Sequence, residues 1–289
     1  MLSRDRVEAR FGAMDRAVRV VVLGGSPRLD ERARHLIEVL ERKWSRYRAG
    51  SELSRVNESG PRAVVVSPDT YGLVSRAVGA WRATGGRFDP TVRVGPAPAP
   101  AGPSPGCAHV ELDPRHTTVR LLAGVHLDTG GIARGFAADL AVVDLVRSGA
   151  SGALVSIGTD VRVAGDPPRP DGWYVDLDDP RRPGTLGRLR IAQGAISTYS
   201  SRAPSRSARD AAIGVAPLVD PATGAVARTG IVAATVVAGE AWWAQAIAKA
   251  ACVAGPDAGI RVMAELGVTG FVVLDDGGIR EAPGLGAFC

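Results

Sequence analysis

Two periodicities alternate along the chain. Residues 18–23, Val-Arg-Val-Val-Val-Leu, form a β-branched run ending at Gly24-Gly25 and read as a strand. From about Asp30 to Tyr47 the period changes: Leu36, Leu40, Trp44 and Tyr47 share one stripe, which predicts a long helix. Ser67-Pro68-Asp69 is a helix start, with serine as cap and proline in the first turn, and Gly85-Gly86 ends that helix. Short apolar runs then predict strands at Ala108–Leu112, Thr118–Leu122 and Val125–Leu127. Ile132, Phe136, Leu140 and Val143 follow at the spacing of one helical face, and that helix ends near Ser148-Gly149.

The second half repeats the alternation. Residues 153–165 read as a strand, a kink at Gly158 and a second strand, with further strands at Trp173–Leu177, Leu186–Ile191 and Thr229–Ala238. Ser197–Arg209 is rich in Ser and Arg and reads as a loop. Glu240–Val253 is a nearly all-apolar helix, followed by a short helix at Asp257–Leu266, a strand at Phe271–Leu274 and an Asp275-Asp276-Gly277-Gly278 turn. Strands outnumber helices and short turns join most neighbours, which predicts an α+β fold of mostly antiparallel sheet with packed helices. No linker divides the chain, so residues 1–289 are expected to form one domain, with a flexible Pro/Ala/Gly loop at about 95–106.

Composition narrows the function classes. At 289 residues with 45% hydrophobic and 22% charged positions, the chain can bury a sizeable core. It has no apolar run long enough to span a bilayer and no apolar leader after Met1, so a cytoplasmic protein is expected. The net charge of +5 is almost wholly arginine, Lys43 and Lys249 being the lysines. That balance favours anionic ligands, but no basic block is interleaved with aromatics, which argues against nucleic acid. Cys107, Cys252 and Cys289 give neither a disulfide framework nor a zinc spacing.

Candidate chemistry gathers at Leu127-Asp128-Thr129-Gly130-Gly131-Ile132-Ala133-Arg134-Gly135, a junction of strand, carboxylate, two glycines and helix. Glycines let a ligand approach the backbone, and a helix start offers unpaired N–H groups to an anion. Arg134 in the first turn opposes the helix dipole, a cost that a phosphate partner would explain. The glycine spacing is not that of a dinucleotide fingerprint.

With four further motifs, this junction resembles that of the FAD:protein FMN transferases, the ApbE-like flavin transferases. Residues 45–57 are polar and read as turn-rich, and Ser45-Arg46-Tyr47 with Ser51–Asn57 is similar to that family's N-terminal flavin segment. Phe88-Asp89-Pro90-Thr91-Val92 matches F-D-P-T-V, and Leu127–Gly135 resembles L-D-x-G-G-I-A-K-G with Arg134 for the lysine. Ser156–Asp160 resembles N-L-G-G-D, and Asp220-Pro221-Ala222-Thr223-Gly224 resembles D-P-x-T-G. The resemblance implies a T-fold-like architecture, FAD as substrate, and transfer of FMN to a threonine or serine of an acceptor flavoprotein with release of AMP. It points to Asp128, Asp160 and Asp220 as catalytic carboxylates. It points to Met14, Tyr47, Ser51, Asp89, Gly130, Gly131, Arg134, Thr198 and Lys249 as flavin-nucleotide contacts.

The family also implies a magnesium ion, shared between a carbonyl of the glycine loop, here Gly131, and an Asp and a Thr four residues apart. In this chain those two positions hold Gln245 and Lys249. A protonated lysine cannot ligate magnesium and glutamine replaces a carboxylate poorly. The expectation is that the Lys249 ammonium stands where the metal would, as a countercharge to the diphosphate. Pro217 replaces the histidine that often precedes D-P-x-T-G, Ser197-Thr198-Tyr199 replaces A-T-S, and Asp15 replaces the glycine after the family's methionine. These departures keep two other readings open: a flavin-binding protein without transfer, and an FAD-hydrolysing enzyme.

Overall fold

The computed structural model describes residues 6–92, 102–122, 124–201 and 218–289. Most of the Pro/Ala/Gly stretch, the Ser/Arg-rich residues beyond Ser201, and Pro217 lie outside the described residues.

The chain opens with a hairpin of β1 (Arg6–Ala13) and β2 (Arg16–Leu23). Its two-residue turn, Met14-Asp15, has φ of 52° and 57°. A right-twisted hairpin demands that left-handed pair, and aspartate tolerates it better than most side chains. Then come α1 (Leu29–Trp44), α2 (Glu52–Glu58), β3 (Val64–Val65) and α3 (Pro68–Ala83). β4 (Val110–Asp113), β5 (Thr118–Leu121), α4 (Ala133–Arg147), β6 (Gly152–Ile157) and β7 (Asp160–Gly165) complete the first half. The second holds β8 (Trp173–Asp178), β9 (Thr185–Ile191), β10 (Gly194–Ser200), β11 (Ile231–Ala238) and α5 (Ala241–Ala254). It ends with α6 (Pro256–Glu265), β12 (Thr269–Leu274) and β13 (Ile279–Glu281).

Eight strands form one sheet in the order β1-β2-β6-β7-β10-β11-β12-β13, and every pairing is antiparallel. The α+β expectation therefore holds. The unbroken Val-Val-Val-Leu run of β2 has a reason: both sheet faces are covered. Val18, Val20 and Val22 pack under α1 and α4, whereas Val21 and Leu23 join a second core beneath the β8–β9 ribbon with Trp173, Val175 and Leu189. A third core lies between α5, α6 and the β11–β12 pair, and a fourth joins α2 and α3 to the small sheet β3-β5-β4.

Three expectations are corrected. Residues 125–127 are not a strand; the Asn57 side chain, not a neighbouring strand, takes up the N–H and carbonyl of Leu127. Ser197–Ser200 belongs to β10, paired with β7 and β11, rather than to a loop. The polar segment read as turns contains α2, which Ser51 caps. In α4 the inward face carries Phe136, Ala137, Ala141 and Leu145, while Val143 is exposed.

α5 is the buried helix, and its alanines let α4 approach closely. A Cβ built on Gly135 would stand 2.4 Å from the Ala241 carbonyl oxygen. Asp139 of α4 completes the junction by accepting the Ala241 and Trp242 N–H groups at 2.9 Å each, capping α5 from a neighbouring helix. Burial pushes the Asp139 carboxyl up to about 6, while those two bonds and the Arg162 guanidinium pull it down.

Candidate functional site

The glycine junction is pinned from three directions. Asn57 clamps Leu127 with two bonds of 3.0 and 2.8 Å, and the Asp128 N–H donates to the Pro90 carbonyl at 2.7 Å. The Thr129 carbonyl then accepts the Ile132 and Ala133 N–H groups and starts α4. Asp128 folds the loop on itself, taking the Gly130 N–H at 2.9 Å. Its other oxygen binds the Arg46 guanidinium, which also reaches the Tyr47 hydroxyl and lies over that ring.

The far wall is α5. Gln245, buried, accepts the Gly135 N–H at 2.9 Å through Oε1 and donates from Nε2 to the Gly130 carbonyl at 3.3 Å. The Gly135 N–H can only donate, which fixes which end of the amide is oxygen. One turn on, Lys249 stretches along the loop toward Phe88. A Cβ on Gly131 would lie 3.0 Å from the Phe88 ring and 3.5 Å from Lys249 Nζ. The ammonium lies 6.0 Å from the Phe88 ring centre, and among the described residues it has no hydrogen-bond or ion-pair partner. Burial lowers the lysine below its ordinary pKa, Asp128 and Asp89 oppose that shift, and Arg46 and Arg134 add to it. The side chain keeps a window to solvent.

Each predicted residue has a definite place. Arg134 meets the Asp160 carboxylate at 2.9 Å rather than standing free for an anion, and Asp160, almost fully buried, also accepts the Ser197 hydroxyl at 2.5 Å. Thr198 shares a 2.9 Å contact with the Thr235 hydroxyl. Asp89 is buried, takes the Thr91 N–H and hydroxyl at 2.7 and 2.6 Å, and receives the Ser104 hydroxyl. Asp220 closes its own turn through the Ala222 N–H and the Thr223 hydroxyl. It joins the site only indirectly, because the Pro221 carbonyl holds the Ser104 N–H. Ser51 caps α2 and donates to the Ser45 carbonyl, and Met14 sits at the hairpin tip against the first core. The structure thus gathers Asp128, Gly130, Gly131, Gln245 and Lys249 in one place, joins Arg134 to Asp160, and leaves Ser51 and Met14 in structural duties.

Four participants were not among the predicted site residues: Arg46, Asn57, Phe88 and Ser197. The signal for Arg46 was present, since a half-buried Asp128 beside glycines needs a countercharge.

A glycine loop opening a helix, with an ammonium alongside and two arginine-paired carboxylates next to it, is an arrangement suited to an anionic ligand. The sequence narrows this further. Residues 14–272 match the ApbE family, and the chain belongs to that family. It is 34% identical over 170 residues to an FAD:protein FMN transferase of Rhodobacter capsulatus, covering 58% of this chain but only 32% of that relative. An FAD:protein FMN transferase of Treponema pallidum is 27% identical over 285 residues, 86% of this chain and 78% of the relative. The crystal structure of an ApbE protein from Thermotoga maritima superposes with a TM-score of 0.82 at 25% identity, over 98% of this chain and 99% of that one. The flavin transferase ApbE of Vibrio cholerae gives 0.81 at 22% identity, over 99% and 100%, and supports the fold.

The residues present do not fit the divalent ion expected of the family. Both polar atoms of Gln245 are already used, an ammonium lies against the loop, and among the described residues no cluster of three or more His, Cys, Asp or Glu side chains gathers to hold a metal.

Proposed function

We propose that this protein binds FAD and moves its FMN moiety to a threonine or serine hydroxyl of an acceptor protein, releasing AMP. The observation that carries the reading is the convergence of Arg46 and Lys249 on the Asp128–Gly131 loop in an ApbE-family fold. There the diphosphate lies along the loop beside the Lys249 ammonium. The acceptor oxygen attacks the FMN phosphorus, the P–O bond to the AMP phosphate breaks, and AMP leaves with the electron pair. Phosphoryl transfer of this kind depends on positioning and charge neutralisation. Asp128, which keeps a solvent face of 21%, orients the acceptor hydroxyl and passes its proton to water. Asp160 fixes Arg134 in the first turn of α4, Thr198 lies beside the phosphates, Gly130 and Gly131 keep the loop low, and Tyr47 borders the isoalloxazine. Asp89 and Asp220 shape the opposite wall through Ser104. We place the protein in the cytoplasm, where its three free thiols would stay reduced.

The test is incubation with FAD and an acceptor peptide bearing the target threonine. AMP and a peptide heavier by one FMN are expected; AMP with free FMN would mean hydrolysis. Intact bound FAD would mean a flavin-binding protein without transfer, a reading favoured by the altered Gln245–Lys249 pair.

A further inference from the structure

Gln245 and Lys249 lie one turn apart on α5 and both face the glycine loop, yet they perform different tasks. The Gly130 carbonyl is an acceptor pointing at α5. A carboxylate at position 245 would oppose it with a second acceptor, and two facing acceptors need a cation between them. Gln245 removes that need, because its Nε2 donates to the carbonyl directly while Oε1 takes the Gly135 N–H. The loop is therefore closed onto α5 by hydrogen bonds alone. What a hydrogen bond cannot supply is net charge, and that is what Lys249 brings. Its ammonium is carried along Gly131, within 3.5 Å of where a Cβ would stand, above the face of Phe88.

The other charges nearby are committed. Asp128 is bound to Arg46, Asp160 to Arg134, and Asp89 accepts from Thr91 and Ser104. Lys249 alone among these cations has no partner among the described residues, so it is the one available to an incoming anion. A half-buried ammonium that meets no carboxylate at contact distance leaves its charge open to a ligand.

We propose that the Gln245–Lys249 pair is a covalent replacement for the divalent cation, so that the diphosphate of a flavin dinucleotide is bound by Lys249 without a metal. Gln245 fixes the loop and Lys249 neutralises the phosphates. The inference rests on the functional reading above and deepens it.

The experiment is titration of the purified protein with FAD, followed by flavin-fluorescence quenching and calorimetry, in chelator and again with magnesium added. Equal affinity in the two buffers is expected. Lys249→Met should weaken binding by about tenfold to a hundredfold, the range for a hydrogen bond to a charged group, and Lys249→Arg should restore part of it. Thermal melts establish that both variants are folded. The double variant Gln245→Asp/Lys249→Thr should bind FAD weakly in chelator and regain affinity with magnesium. Wild-type binding that appears only with magnesium would overturn this inference and leave the functional reading intact. So would a folded Lys249→Met that binds FAD as the wild type does. No FAD binding in either buffer would overturn the functional reading itself.

Discussion

The contact between α4 and α5 carries a sharp prediction, because a single methyl group has nowhere to go. A Cβ on Gly135 would stand 2.4 Å from the oxygen and 2.5 Å from the carbon of the Ala241 carbonyl, and 2.7 Å from the Trp242 nitrogen. All three are backbone atoms that cannot rotate away, so Gly135→Ala must push the helices apart. Overpacking of that kind costs about 1–3 kcal/mol. Separation also stretches the two bonds from Asp139 that cap α5, worth about 1–2 kcal/mol together, while alanine's better helix propensity returns about 1 kcal/mol. The net loss is about 1–4 kcal/mol, which for a chain of this size lowers Tm by about 2–7 °C. Gln245 reaches the loop through the Gly135 N–H, so FAD affinity should fall in the same variant. Paired thermal melts and FAD titrations check both effects. A variant that melts at or above the wild-type temperature would refute the close approach, since propensity alone would then govern the site.

Three other outcomes are expected. Asp139 has a folded pKa of about 6, above the unfolded value of about 3.9, so the folded state is penalised as pH rises through that window. Stability should fall by up to about 3 kcal/mol between pH 4 and pH 7 relative to Asp139→Asn; equal slopes in urea unfolding of the two proteins would contradict this. Asn57→Ala strands the N–H and carbonyl of Leu127 and should cost about 1–3 kcal/mol, and Asn57→Asp should recover little, because a carboxylate cannot donate to that carbonyl. Full recovery by Asp in a denaturation series would show that the donated bond is unimportant. Arg46→Met and Asp128→Asn should be non-additive in FAD affinity by about 0.5–3 kcal/mol, and independent effects in the double-mutant cycle would separate the two residues.

Much of the fold was legible where burial and local chemistry agree. The Ser67-Pro68 start, the Gly158 turn and the apolar α5 all lie within a residue or two of their expected places. β1 was missed because it is an edge strand whose Arg6, Glu8 and Arg10 face water, leaving a weak alternation at Val7, Ala9 and Phe11. α2 was hidden by its length, seven residues with a serine cap in a polar context. Residues 125–127 mimicked a strand because extended backbone looks alike whether a strand or an asparagine satisfies it. In the site, motif spacing located the loop and the α5 pair. It could not tell that Ser51 serves a helix end or that Arg134 meets Asp160, because those contacts join residues far apart in sequence or depend on rotamers.

Among the described residues the large sheet does not close on itself, and its two rims are β1 and β13. Along the first, Glu8 is encircled by Arg6, Arg10 and Arg19, whose guanidinium groups hold its carboxyl down to about 2. Along the second, three exposed residues, Ile279, Arg280 and Glu281, make a strand too short to template another. A foreign strand docking on either side would have to strip water from fixed charges before gaining its first backbone bond. The molecule can therefore keep an open sheet in a crowded cell without its margins recruiting neighbours into fibrils.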